Sequence, residues 1–200
     1  MPRLRQVPRS EVDPEFADLF ERFFPGGTVP VTDPGTPTGT PGNWWTTMAL
    51  LPDVLRAYWE SYQESLRGDA LDPRLRELGV MRAGFNVGSQ FVFSQHCKGA
   101  RAAGVEDAQI EAIPGWATST LFSPVERAVL AYTDELTVHR GRVQDATFEA
   151  LHAELSDEAI LTLTYVVGEF RFFAILTRAL QLEYDDVPER IVEVPAPADA

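Results

Sequence analysis

Residues 72–104, DPRLRELGVMRAGFNVGSQFVFSQHCKGARAAG, constrain the fold more than any other stretch of the chain. Asp72 followed by Pro73 is a helix start, because an aspartate accepts from free backbone N–H groups and a proline at the first helical position forfeits no needed donor. Gly104 is the matching stop. Between them Leu75, Leu78, Met81 and Phe85 recur every three or four residues, and Phe93, Cys97 and Ala100 repeat the pattern. The segment therefore reads as a helical hairpin hinged near Asn86–Gly88. Nothing elsewhere alternates apolar and polar residues in the manner of a strand, and no Asn-Gly hairpin turn occurs. The class expected is all-α: a single-domain helical bundle of about seven to eight helices.

The hairpin also holds the chain's one plausible acid–base pair, Glu77 and His96. Ser89, Val92 and His96 stand at i, i+3 and i+7, which puts them on one helix face. On spacing alone His96 serves equally well as a core or interface histidine, and Glu77 as a solvated residue beside Arg74 and Arg76. Spacing by itself establishes no site.

The run RELGVMRAGFNVGSQFVFSQHCKGARAAGVEDAQIEAI resembles the signature segment of the carboxymuconolactone decarboxylase and alkylhydroperoxidase-D family, an all-helical, cofactor-free group. In its redox members a glutamate is followed by Cys-x-x-Cys and, three residues on, by a histidine. Read onto this chain, the glutamate is Glu77, the histidine His96, and the cysteine positions hold Ser89 and Val92. A thiol peroxidase needs a thiolate and usually a second thiol to resolve the sulfenic acid. Serine and valine do neither job, and Cys97 is the only cysteine in the chain. Non-redox relatives often carry a carboxylate at the position of Val92, and that acid is missing too. The resemblance implies a trimer, or a trimer of dimers, with a pocket close to a subunit boundary. Catalytic residues expected from it are His96 and Glu77; substrate-lining residues are Ser89, Val92, Phe93 and Arg171. No cofactor and no metal are expected.

Two hundred residues with 44% apolar content are enough for a sizeable core. A net charge of −13 disfavours nucleic acid and anionic membrane surfaces as partners. The opening residues contain no apolar signal-like core, no stretch reads as an uninterrupted membrane span, and one cysteine allows no internal disulfide, so a soluble cytoplasmic protein acting on a small molecule is expected. Residues 1–42 read as an N-terminal extension: a helix from Pro14 to Phe24 capped by Asp13, with Phe16, Leu19, Phe20 and Phe23 on one side, then a Pro, Gly and Thr-rich loop that is either a strap or a plain connection. The helical domain is expected over residues 43–187. Pro52 divides a short helix from a longer one carrying Leu55, Tyr58, Trp59 and Tyr62, and of the adjacent Trp44 and Trp45 one is expected to reach a pocket or an interface. Residues 188–200 read as a flexible tail.

Further along, Ser123-Pro124 with Glu126 has capping-box spacing and starts a helix expected to reach Gly141, with His139 in its last turn and Asp134 and Glu135 as structural or interface groups. His152 lies on a short amphipathic helix. Ser156-Asp157-Glu158 caps a last long helix with Glu169 and Arg171 in its apolar middle, where each needs a partner or water. Three chemistries stay open: a cofactor-independent lyase or isomerase, a redox protein using Cys97, and a non-catalytic binding module.

Overall fold

A computed structural model of the chain describes residues 2–27, 42–67 and 69–182, apart from the side chains of Phe23, Leu66 and Arg67. The Pro, Gly and Thr-rich loop and the expected tail lie outside the described residues, except for the loop's first residues, Pro25–Gly27, a single 3-10 turn, and its last, Gly42. Among those described there are nine α-helices and no strand, the all-α class expected. They are α1 (Ala17–Phe23), α2 (Gly42–Met48), α3 (Pro52–Arg67), α4 (Pro73–Val87), α5 (Gln90–Ala102), α6 (Asp107–Ala112), α7 (Pro124–Thr137), α8 (Asp145–His152) and α9 (Asp157–Leu180). The helices group into two compact units.

The first unit holds the described residues up to 70 together with 175–182. Asp13 accepts from the Glu15 N–H as expected, but Pro14–Phe16 form a 3-10 turn that leads into α1. Phe16, Phe20 and Phe24 are buried, with the Phe20 and Phe24 rings 5.5 Å apart. Pro52 opens α3 where the break was expected. Both Trp44 and Trp45 are buried, against the expectation that one would reach outward. Trp44 packs on Tyr58 at 5.0 Å between ring centroids and Trp45 on Trp59 at 5.6 Å. Two adjacent residues of α2 thus meet two adjacent residues of α3, and rings this large need not point the same way to share one core.

The second unit, residues Leu71–Ala174 among those described, carries the hairpin. Asp72 accepts from the Arg74 N–H at 2.8 Å, and Gly88 stops α4 in the left-handed region at φ 71°. Here α4 and α5 pack closely, because a Cβ on Gly84 would lie 3.0 Å from the Phe93 backbone nitrogen. Leu75, Leu78 and Met81 join Phe93, Cys97 and Ala100 in one apolar core, closed by Val129 and Leu130 of α7 and by Ile160, Leu163 and Val167 of α9.

At the start of α7 the capping box is present: Ser123 accepts from the Glu126 N–H and Glu126 accepts from the Ser123 N–H. The helix ends at Thr137 rather than at Gly141, since Arg140 and Gly141 take φ of 61° and 80°, which no α-helix tolerates. His139 is accordingly exposed beyond the helix and not in its last turn. Asp134 gathers four donors: Arg82 Nε at 2.6 Å, Arg82 Nη2 at 3.1 Å, Asn86 Nδ2 at 2.7 Å and Trp116 Nε1 at 3.0 Å. Glu135 accepts from the Gln144 N–H at 2.7 Å and the Thr147 hydroxyl at 2.9 Å, which anchors the start of α8. Both acids are structural, as expected. Asp134→Ala strands a largely buried guanidinium and two further donors, so it should cost about 2–3 kcal/mol, less than a fully buried ion pair because Asp134 is partly solvated. In a chain of this size that lowers the melting temperature by about 5–10 °C, read by calorimetry.

Candidate functional site

Glu77 is one turn into α4 and points at α5, where it is 5% exposed. Its Oε2 lies 2.7 Å from His96 Nδ1, and its Oε1 lies 3.3 Å from both Nε and Nη2 of Arg76. Burial pushes the carboxyl up, but the charge and hydrogen bond of His96, followed by those of Arg76, outweigh it and hold Glu77 below its ordinary value. An ionised carboxylate can only accept, so Nδ1 carries the hydrogen that meets Glu77, and Nε2 is the ring nitrogen not engaged by it. Phe170 meets the His96 ring nearly at right angles, with centroids 4.2 Å apart. The imidazole is held on one edge by a carboxylate and on another side by an aromatic wall.

Gly99 is the residue that permits this geometry. It follows His96 by three positions on α5, on the same face, and a Cβ there would stand 2.6 Å from Glu77 Oε2. The signal was available in the sequence, because a glycine inside a helix costs about 1 kcal/mol relative to alanine and asks for a packing reason. Its partner was not legible.

The other expected site residues are placed differently. Ser89 is not within the helix; it precedes α5 as its N-cap, fully buried, accepting from the Val92 N–H at 3.3 Å. Val92 is 1% exposed and packs against Gly84. Phe93 belongs to the apolar core beside Phe85, with centroids 6.4 Å apart. Arg171 is half-buried, and its described hydrogen bond runs to the Leu136 carbonyl at 3.5 Å, near the end of α7, rather than to Glu77 or His96. Cys97, next to His96, is completely buried in the core. His152 pairs with Asp157 at the exposed α8–α9 junction. Among the described residues no three His, Cys, Asp or Glu side chains cluster as metal ligands.

The fold around this hairpin is AhpD-like, as the similar solved structures show. One, an uncharacterised peroxidase-related protein with an alkylhydroperoxidase AhpD core from Ralstonia eutropha, is 16% identical over 92% of this chain and 93% of its own, with a TM-score of 0.74. The debrominase Bmp8 bound to 2,3,4-tribromopyrrole is 18% identical over 93% of this chain and 95% of its own, at 0.70. A protein of unknown function from Agrobacterium tumefaciens, linked to AhpD-type antioxidant defence, is 23% identical over 70% of this chain and 97% of its own, at 0.66. Residues 52–135, which hold the whole Glu77–His96 hairpin, match the carboxymuconolactone decarboxylase family. No curated protein matches the chain in sequence.

The lowered Glu77 value has a definite sign. A carboxyl whose folded value is depressed stabilises the fold fully above its ordinary value, about 4.3, and loses that contribution as pH falls through the folded value. Glu77→Gln should therefore flatten the acid limb of unfolding free energy against pH, measured by denaturant titration at each pH. Gly99→Ala should push the carboxylate off the imidazole, costing about 1–3 kcal/mol by overpacking where a helical Gly→Ala would otherwise stabilise. The nitrogen shift of His96 Nδ1 in an NMR spectrum reads the lost bond directly.

Proposed function

We propose that the chain is a cofactor-independent lyase or isomerase that moves protons on a small carboxylated lactone or enolisable keto acid. The observation that carries this reading is the 2.7 Å contact between His96 Nδ1 and Glu77 Oε2 in a largely buried setting. Held this way, His96 presents Nε2 as a general base toward a carbon acid, and Glu77 stabilises the imidazolium that forms. In a decarboxylation the carbon–carbon bond to the carboxylate breaks, its electron pair enters the enolate, carbon dioxide leaves, and His96, having taken a proton from solvent water, delivers it to carbon. In an isomerisation the same proton is removed from one carbon and delivered to another. Arg76, already at the pair, is the cation assigned to the developing charge, in preference to Arg171 with its bond to Leu136. The reading includes a soluble cytoplasmic homo-oligomer, trimer or hexamer, with no metal and no nucleic-acid partner.

A redox role for Cys97 ranks second, because a thiolate must meet peroxide and this thiol is 0% exposed. A purely ligand-holding role predicts no turnover with any substrate. The discriminating experiment screens carboxylated lactones and keto acids for turnover and for solvent-deuterium incorporation, in the wild type, His96→Ala and Glu77→Gln. His96→Ala should lose about 10²–10⁴-fold while its circular dichroism is unchanged, and Glu77→Gln should lose less. Undiminished turnover in His96→Ala overturns the mechanism.

A further inference from the structure

The turn that follows α7 carries His139, Arg140 and Arg142 almost side by side, in a chain whose acids outnumber Lys and Arg by 30 to 17. All three are exposed, and with Val138 they line one concavity of about 420 Å³. No described acid lines it. Among the described residues none of the three side chains has a partner, although Arg56, Arg74, Arg82 and Arg101 each hold a carboxylate. The acids on either side in the chain do not answer them. Glu135 is buried and accepts from Gln144 and Thr147, and Asp145 pairs with none of the three.

Cations after a helix commonly serve its last free carbonyls. Here those carbonyls already have donors. The Asp134 carbonyl accepts from the Val138 N–H at 2.7 Å, the Glu135 carbonyl from the Gly141 N–H at 3.1 Å, and the Leu136 carbonyl from Arg171 at 3.5 Å. The partial negative charge of the helix end is therefore met without the turn's own side chains. Arg140 also holds φ at 61°, in the left-handed region that glycine takes freely and a residue with a Cβ takes at a cost. Strain of this kind in an uncompensated cluster of like charge points to a ligand rather than to the fold.

We infer that this turn is a binding site for a small phosphate-bearing anion, held between Arg140 and Arg142 with His139 as a third donor. A guanidinium presents a planar fork that takes two oxygens at once. One carboxylate satisfies one such fork, whereas a phosphate has three oxygens and close to two charges, enough for both forks and the imidazole. The size of the concavity leaves room for a small organic group beside the phosphate. Polyanions fit less well: the net charge of −13 repels nucleic acid or an anionic membrane over its whole surface, while a single phosphate lies within a Debye length of the three cations. The site is independent of the Glu77–His96 chemistry.

The test is isothermal titration calorimetry of the full chain with inorganic phosphate, glycerol 3-phosphate and acetate, in a chloride buffer of low ionic strength. A phosphate should bind with a Kd at or below about 1 mM, and about ten-fold or more tighter than acetate. Tighter binding of glycerol 3-phosphate assigns the site to a phosphate monoester, and binding no tighter than that of inorganic phosphate assigns it to the free ion; both uphold the inference. Arg142→Gln and Arg140→Gly should each weaken binding by about ten-fold or more with unchanged circular dichroism, since neither side chain has a described partner and glycine relaxes the turn. Arg101→Gln removes a cation from α5 and controls for net charge, so it should leave the affinity within about two-fold. No saturable binding of either phosphate up to about 10 mM overturns the inference, as does acetate binding equally well. Wild-type affinity in both turn variants overturns it too, as does an equal loss in Arg101→Gln.

Discussion

A carboxylate removed from water must be compensated where it lies, and the second unit is built around that demand at Glu77. One oxygen receives the His96 ring and the other the Arg76 guanidinium, at 2.7 Å and 3.3 Å. The His96 contact would not form if α4 and α5 were separated by ordinary side chains. Gly99 admits the carboxylate, and Gly84 lets Val92 and the Phe93 backbone approach α4. Two glycines within helical segments, each locally unfavourable, are the cost of seating a buried carboxylate–imidazole pair between helices. The pair then turns the Nδ1 edge of the His96 ring to the carboxylate and leaves Nε2 unengaged by it.

The rest of that unit holds the hairpin still. Asp72, Ser89 and Ser123 each stop a helix start from fraying by accepting from a backbone N–H inside the first turn. Asp134 ties α4, through Arg82 and Asn86, to the Trp116 turn and to its own helix α7. A buried network of this kind gains most when every member is satisfied, since an unpaired donor in a low dielectric loses its hydration without return. Phe170 extends the same support from α9, packing its ring against His96.

Much of this architecture was legible in the residues. Helix starts at Pro52, Pro73 and Pro124, the stop at Gly88 and the capping box at Ser123 are local events, decided by backbone chemistry within a turn, and all were found where expected. The end of α7 was misread by four residues because nothing in Val138-His139 forbids a helix; the left-handed turn at Arg140 and Gly141 is set by how the chain must reach α8. Trp44 and Trp45 were misread for a related reason. Helical spacing says that neighbours diverge, but it cannot say that a second helix offers two aromatic partners.

For the site, sequence alone determined the residue types and their helices: a glutamate on the first arm of the hairpin, a histidine on the second, no cysteine pair between them, and one cysteine beside the histidine. Tertiary structure decided which groups meet. It joined Glu77 to His96, added Arg76, Phe170 and Gly99, turned Ser89 into a helix cap, drew Phe93 and Cys97 into the core, and gave Arg171 to the Leu136 carbonyl. The physical reason is range. Capping and helix periodicity act over three or four residues and are written in the local order of the chain, whereas a hydrogen bond between residues nineteen apart depends on the distance between two helix backbones, which packing alone sets.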